Sequence, residues 1–372
     1  MKKKVLVMSL ALLLVISSVA IGCAAPAPEP VPGPPGPPGP PAPAPAPAPA
    51  PAKPLLWRFH THTALGRPEV AAQEQFCFDI LKDTDGMIDI SFYPGGVLGH
   101  KAGGVADAVQ AGILEIGNIS LSWIAAGQPM LDLLHLPFVI VGEMEMPPKA
   151  WAAAKPYMEK TLAERDLVMI VWSTGGTFSH LCSKGPVNTV AAWEGKKFRA
   201  WSAAQTRWFP WLGATPVSMP SGEQYMGLQT GLIEGTIQGP ASTISRKVYE
   251  VCDYYNLWGS APPAPYVWLM KKSMLEALPQ KYQDIIWKRA DELSETLWQI
   301  SHFGVPYRGF EAAPGLDDVA EVMTILEVSP EERAKMRAIV TPYWDEWLET
   351  TGAEGLEALN AVLVAQGVEP YK

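Results

Sequence analysis

The sequence predicts an α/β protein of two lobes, each a mostly parallel sheet flanked by helices, with C-terminal helices shared between them. Three observations lead there. Strand-like apolar runs alternate with segments of helical period, and strands separated by helices of that length make β-α-β crossovers. The alternation starts twice, at residue 55 and again near residue 177. The part with folding composition, residues 55–372, is long enough for two domains.

The chain opens outside that fold. Lys2 to Lys4 precede an apolar run from Val5 to about Val19, followed by Ala20-Ile21-Gly22-Cys23. A charged start, a short apolar core and small residues at the break mark a secretory signal, residues 1–22, and a cysteine there resembles the bacterial lipobox. Cys23 is the expected lipidation site. A spanning anchor is the alternative, but it needs about 20 apolar residues. Residues 24–54 then hold 16 of the 37 prolines. Such a segment has no apolar surface to bury and reads as an extended polyproline II spacer, about 3.1 Å per residue. Three Gly-Pro-Pro triplets are too few for a collagen helix, and the Ala-Pro alternation after them breaks the period.

In the folded part LLWRF (55–59) leads to a helix with Ala72, Phe76 and Ile80 at i, i+4 and i+8. IDISFYP (88–94) leads to Val105, Ala108 and Val109. EIGNIS (115–120) leads to a helix carrying Trp151, Ala154, Met158 and Leu162, and LVMIVWS (167–173) closes the first set. The second set is KKFRAW (196–201), TPVSM (215–219), IEGTIQ (233–238) and YYNLW (254–258), with YVWLMKK (266–272) as one strand more. The remainder reads as helical: a long helix from about Pro279 to Ser301, and one opened by Ser329-Pro330-Glu331-Glu332, a capping box with proline at the first helical position. The expected division is residues 55–176 with 263–302 in lobe I, and 177–262 with 303–372 in lobe II and the C-terminal helices. Two such lobes enclose a cleft, the usual place for a ligand.

Charge and cysteine usage narrow the function. The formal charge is -9, and loss of residues 1–22, which carry three lysines and no acid, leaves about -12. An acidic body without a basic cluster argues against nucleic acid as partner. Cys77, Cys182 and Cys252 show no zinc spacing and read as small buried hydrophobes. Nothing implies a cofactor.

Strand alternation puts Lys197, Arg199 and Trp201 on one face of KKFRAW, with Phe198 and Ala200 on the other. Arg199 then has two readings. One is a structural ion pair with a nearby carboxylate. The other is a clamp, its planar guanidinium giving two parallel hydrogen bonds to an anionic ligand while Trp201 packs on the ligand's apolar part. His60 and His62, in WRFHTHTAL, end the first strand, where ligand loops converge in α/β folds. Their spacing also suits a metal-dependent hydrolase, but no His-Glu-x-x-His and no Gly-x-Ser-x-Gly accompanies it. A pocket-wall role is the expectation, without metal and without catalysis. Tyr225 and Trp268 are further candidates for apolar walls.

AAWEGKKFRAW (191–201), followed by WLGATPVSMPSGEQYMGLQTGLIEGTIQGP (211–240), resembles the solute receptors of tripartite ATP-independent periplasmic (TRAP) transporters, the DctP type. The resemblance continues at LGHKAGGVADAVQAGILEIGNIS (98–120), LHLPFVI (134–140), YVWLMKKSMLEALP (266–279) and SPEERAKMR (329–337), over nearly all of residues 55–372. It implies a periplasmic-binding-protein-like fold and a receptor that does no covalent chemistry. Its ligand would be an organic acid anion, passed to the membrane subunits of a permease, with the receptor outside the cytoplasm on its lipid anchor. Arg199 falls on the family's carboxylate-binding arginine. Where many members carry a second arginine this chain has Ser179, which disfavours a dicarboxylate held at both ends. Gln238 takes the place of a family asparagine, with a core amide as its other reading. With the aromatic residues, these features suggest a monocarboxylate with an apolar or aromatic body. A ligand-sensing lipoprotein signalling to a membrane kinase, and a secreted hydrolase using His60 and His62, are the alternatives.

Overall fold

The computed structural model describes residues 53–372, apart from 64, 102, 141–145, 175–177, 220–221, 262–264 and 312–313. All described residues lie in one compact unit, Pro47–Lys372. The expected signal segment, Cys23 and nearly all of the spacer lie outside them.

The chain enters the first sheet as β1 (Leu55–His60), with Trp57 and Phe59 buried and Leu56 turned to solvent. Helix α1 (Pro68–Asp83) follows, with proline in its first turn and Val70, Ala72, Phe76 and Ile80 on the buried face. Then come β2 (Ile88–Tyr93), α2 (Gly104–Gln110), β3 (Ile116–Ser120), α3 (Met146–Ala163) and β4 (Leu167–Thr174). The second sheet takes β5 (Ser179–Ser183), β6 (Lys197–Ala200), α4 (Ala203–Trp208), β7 (Thr215–Ser218), α5 (Gln224–Thr230), β8 (Gly235–Gln238), α6 (Pro240–Ser245) and β9 (Tyr254–Ala261). The chain returns to the first sheet as β10 (Pro265–Lys271), followed by α7 (Lys272–Glu276) and the 24-residue α8 (Gln280–Phe303). It ends with α9 (Leu316–Ala320), β11 (Thr324–Leu326), α10 (Pro330–Val340) and α11 (Pro342–Ala365).

Strand order is β2-β1-β3-β10-β4 in the first sheet and β11-β9-β5-β8-β6-β7 in the second. The α/β class and the two sheets flanked by helices are as expected, but both sheets are mixed. β10 runs antiparallel between β3 and β4, and β5 runs antiparallel between β9 and β8. These exceptions have one cause. β4 runs on toward β5 and β9 toward β10, with Pro265 paired to Thr174 and Ala261 to Ser179 on either side of the passage. The chain thus passes between the sheets in opposite senses, from β4 to β5 and from β9 to β10, and β5 and β10 each enter the sheet they reach against the local direction.

Each sheet is covered on both faces. In the first, β1 and β10 pack on α1 and α8 through Phe59, Phe76, Ile286 and Leu297, while Val105, Met158, Leu167 and Leu269 form the opposite core. Trp344, Trp347, Leu359 and Val362 of α11 join that opposite core, so α11 adds to the first lobe although residues 303–372 were expected with the second. Helix α10 packs on the second sheet through Met336 and Val340. The C-terminal helices are therefore divided between the lobes.

Strand direction decides where a ligand can meet the protein. β1, β2 and β3 are mutually parallel, and β4, antiparallel to β10 as β3 is, points the same way. Their carboxyl ends share the edge from which β4 leaves for the second sheet. There, β8 and β9 run back against the entering β5, and β6 and β7 are parallel to β8. The carboxyl ends of β6, β7, β8 and β9 return to the edge where β5 enters. Ligands bind beyond the carboxyl ends of strands in open α/β sheets, and here two sets of such ends face one passage.

Candidate functional site

Arg199 occupies the second-lobe side of this edge. β6 is an inner strand, and Arg199 lies in register with Val217 of β7 and Thr236 of β8. The residue is 7% exposed. Its Nε–H donates to the Met219 backbone oxygen at 3.1 Å, and among the described residues no carboxylate lies within 4.0 Å of it. Other arginines show the contrast. Arg58 is forked onto Glu115, Arg207 onto Glu346, and Arg289 meets Asp83 and Glu292. The structural ion pair weighed for Arg199 is not what the structure contains. Burial, and secondarily the positive charge of Arg246, push its pKa down to about 10. It remains charged at neutral pH, and a carboxylate arriving there would relieve a charge held out of water.

The other sequence candidates on this lobe divide. Trp201, just past β6, is 41% exposed, and its backbone N–H donates to Gln205 Oε1 at 2.9 Å. It follows β6 at that strand's carboxyl end. Ser179 begins β5 and pairs with Ala261 of β9. Gln238 is a core amide. Its Oε1 accepts from Gln224 Nε2 at 2.9 Å and its Nε2 donates to Thr243 Oγ1 at 3.3 Å. Both ends are engaged inside the lobe, leaving no group directed to a ligand. Tyr225 lies on α5 with its hydroxyl donating to Glu250 at 2.7 Å in an exposed contact, so the tyrosine points to the surface and not to the facing edge.

Trp268 needs a similar correction. It is fully buried, with its ring 4.1 Å from Phe59 and 5.2 Å from Phe76. β10 is an inner strand with both faces covered, and there alternation does not distinguish a cleft wall from core. Trp268 is core.

His60 and His62 do meet the edge. His60 is fully buried, and its ring lies 4.9 Å from that of His62 and 5.8 Å from that of His100. His62 stands edge-on to Trp123 at 5.2 Å, and Trp123 to Tyr266 at 5.8 Å. Burial, then the neighbouring imidazoles, hold the His60 pKa down to about 4, so the ring is neutral at physiological pH. Among the described residues no group of three or more His, Cys, Asp or Glu is arranged to hold a metal ion. Sequence reasoning missed His100, Trp123 and Tyr266 as site residues. His100 stood within a quoted motif, LGHKAGG, but nothing local joins residue 100 to residue 60.

Two α/β lobes, with a buried cation that meets no carboxylate among the described residues on one facing edge and imidazole and indole rings on the other, define a two-lobed solute receptor. The comparisons agree. The model of bacterial extracellular solute-binding proteins of family 7, the DctP family, matches residues 59–351, and the chain belongs to that family. It is similar to the C4-dicarboxylate-binding periplasmic protein DctP of Rhodobacter capsulatus, 25% identical over 312 residues, covering 83% of this chain and 91% of that one. Among solved structures, a TRAP periplasmic solute-binding protein from Ochrobactrum anthropi superposes with a TM-score of 0.76 at 24% identity, covering 85% of this chain and 97% of that one. An extracytoplasmic solute receptor from Bordetella pertussis binding pyroglutamic acid gives 0.71 at 21%, covering 83% and 99%. These structural likenesses concern the fold.

Proposed function

We propose that the protein captures an organic acid anion outside the cytoplasm, closes its lobes over it, and delivers it to the membrane subunits of a TRAP permease, without chemical conversion. The observation that carries this reading is Arg199, buried and without a carboxylate partner among the described residues. In the open form it is a desolvated charge awaiting neutralisation. Closure removes water from the pair and strengthens the attraction, and the ligand favours closure only by its greater affinity for the closed form.

A single carboxylate is the preferred ligand charge. Ser179 supplies no second guanidinium, and the first-lobe edge offers imidazoles and an indole instead. Micromolar to nanomolar capture requires about 8 to 12 kcal/mol, more than one ion pair provides, so the ligand's body must also be buried. Trp201 and Trp123 are the aromatic surfaces available for it, and they suit a flat or largely apolar body. The lipid on Cys23 and the proline-rich spacer hold the receptor near its permease and raise their effective concentration.

The test is calorimetric titration of organic acids into the receptor, with mass spectrometry of any acid released on denaturation supplying the first candidate. Arg199→Ala is expected to weaken binding by at least about 30-fold, the low end for truncating one side of a buried charge pair. Arg199→Lys should recover little, since an ammonium lacks the fork. Unchanged affinity in the alanine variant refutes the clamp.

A further inference from the structure

Three imidazoles and an indole come together at the carboxyl ends of β1 and β3. His60 lies beneath, fully buried, with His62 and His100 half-buried around it. Among the described residues neither ring nitrogen of His60 has a hydrogen-bond partner, nor has Nε2 of His62. An approach of the His60 ring to the His100 backbone falls short of hydrogen-bonding geometry. Buried polar atoms without partners are costly and uncommon, and each calls for an explanation. The fold holds this group firmly. The Gly96 backbone N–H donates to Thr61 O at 2.9 Å, and a Cβ on Gly96 would come within 3.3 Å of His62 Nδ1. The Thr61 hydroxyl donates to the buried Asn118 Oδ1 at 3.3 Å.

We infer that His62 and His100, supported by His60 and flanked by Trp123, form the subsite for the distal end of the ligand and select an uncharged hydrogen-bonding group there, such as a hydroxyl or amide. This deepens the carboxylate-receptor reading and rests on it. A neutral imidazole presents one donor and one acceptor, which matches a hydroxyl or an amide and leaves part of its capacity unused against a carboxylate. A second carboxylate needs a positive charge nearby. Burial and mutual repulsion oppose protonation of His60, and burial opposes that of His62. The charged groups around the cluster do not supply one. Lys101, next in the chain to His100, is exposed. Arg67, beside Tyr266, is held by Glu69 through hydrogen bonds of 3.1 and 2.7 Å.

The experiment titrates the receptor with two pairs of acids that differ only in a distal polar group, pyroglutamate against cyclopentanecarboxylate and 4-hydroxybenzoate against benzoate, together with glutarate. The polar member of at least one pair should bind about 3- to 10-fold tighter, the range for one or two neutral hydrogen bonds. His62→Ala or His100→Ala should abolish that difference by costing the polar member more affinity than the apolar one, and His100→Gln should restore part of it. Equal affinity within both pairs, or an equal loss for both members in the histidine variants, overturns the subsite. So does glutarate binding tightest and gaining affinity as pH falls from about 7.5 to 5.5, because the cluster would then be charging against a second carboxylate. If no acid binds, or Arg199→Ala binds like the wild type, the receptor reading itself fails and the subsite falls with it.

Discussion

Arg199 brings a full charge into a strand interior with a single backbone carbonyl for company. Unliganded protein therefore gains nothing from it, and replacing an uncompensated buried charge by an apolar chain of similar length should be neutral or stabilising. Arg199→Met is expected to melt, without ligand, at or above the wild-type temperature. A destabilisation beyond about 1 kcal/mol in urea titration would mean the guanidinium already has a partner. Trp268 shows the opposite balance. Fully buried against Phe59 and Phe76, it should cost about 3–5 kcal/mol on truncation to alanine, and Trp268→Phe should retain ligand affinity. Both residues sit in apolar strand sequence, one read as a ligand contact and buried without a carboxylate partner among the described residues, the other read as a wall and found in the core. The difference is whether a strand's neighbour covers the side chain, and that depends on residues far away in sequence.

At the scale of elements, the long helices were legible, as were the four-residue strands β6, β7 and β8, while β5 and β11 were not. α8 follows the long helix expected from about Pro279 to Ser301 and buries Tyr282, Ile286, Leu293, Leu297 and Ile300, and Ser329 Oγ accepts from the Glu332 backbone N–H at the start of α10. β11 has three residues, too few for a period-2 pattern to stand out, β5 (SHLCS) shows no apolar alternation, and strand direction has no signature in side-chain alternation. β5 also carries a pH response. His180 Nδ1 accepts from the Gly259 N–H at 3.0 Å, and burial, with a smaller effect of Arg333, holds its pKa down to about 4. The unfolded imidazole takes up a proton near pH 6.5 while the folded one does not until about 4, so stability falls as pH drops through that window. His60 acts in the same direction. Burial raises Asp132 to about 7, so that it favours the folded state as pH falls and offsets its neighbour His135, itself lowered to about 4 by burial. The expected net result is a stability, and with it a melting temperature, that declines from pH 7 to 5, the stability by up to about 1.4 kcal/mol per pH unit for each uncompensated histidine. His180→Gln should flatten the curve, and a pH-independent melting temperature would contradict the assignment.

For the whole molecule, the chain passes from the first sheet to the second between β4 and β5 and returns between β9 and β10. Each sheet keeps its own apolar cores, so the lobes can move without breaking either. Addition of a binding acid is expected to lower the radius of gyration in small-angle scattering, and Arg199→Ala should show no change at the same concentration, since closure follows differential affinity. Contraction of the alanine variant to the same extent would separate closure from the clamp.

By itself the sequence determined the α/β alternation, the capped and amphipathic helices, the spacer's extended composition and the presence of an arginine in a strand that should not hold one. These are local properties, set by residue type and by periods of two and 3.6. Only the tertiary structure decided that α11 completes the first core, that Trp268 and Gln238 are interior, and that His100 stands beside His60. Those outcomes depend on strand order and direction, which arise when distant segments pack to cover one another's apolar faces, a choice no short stretch of chain records.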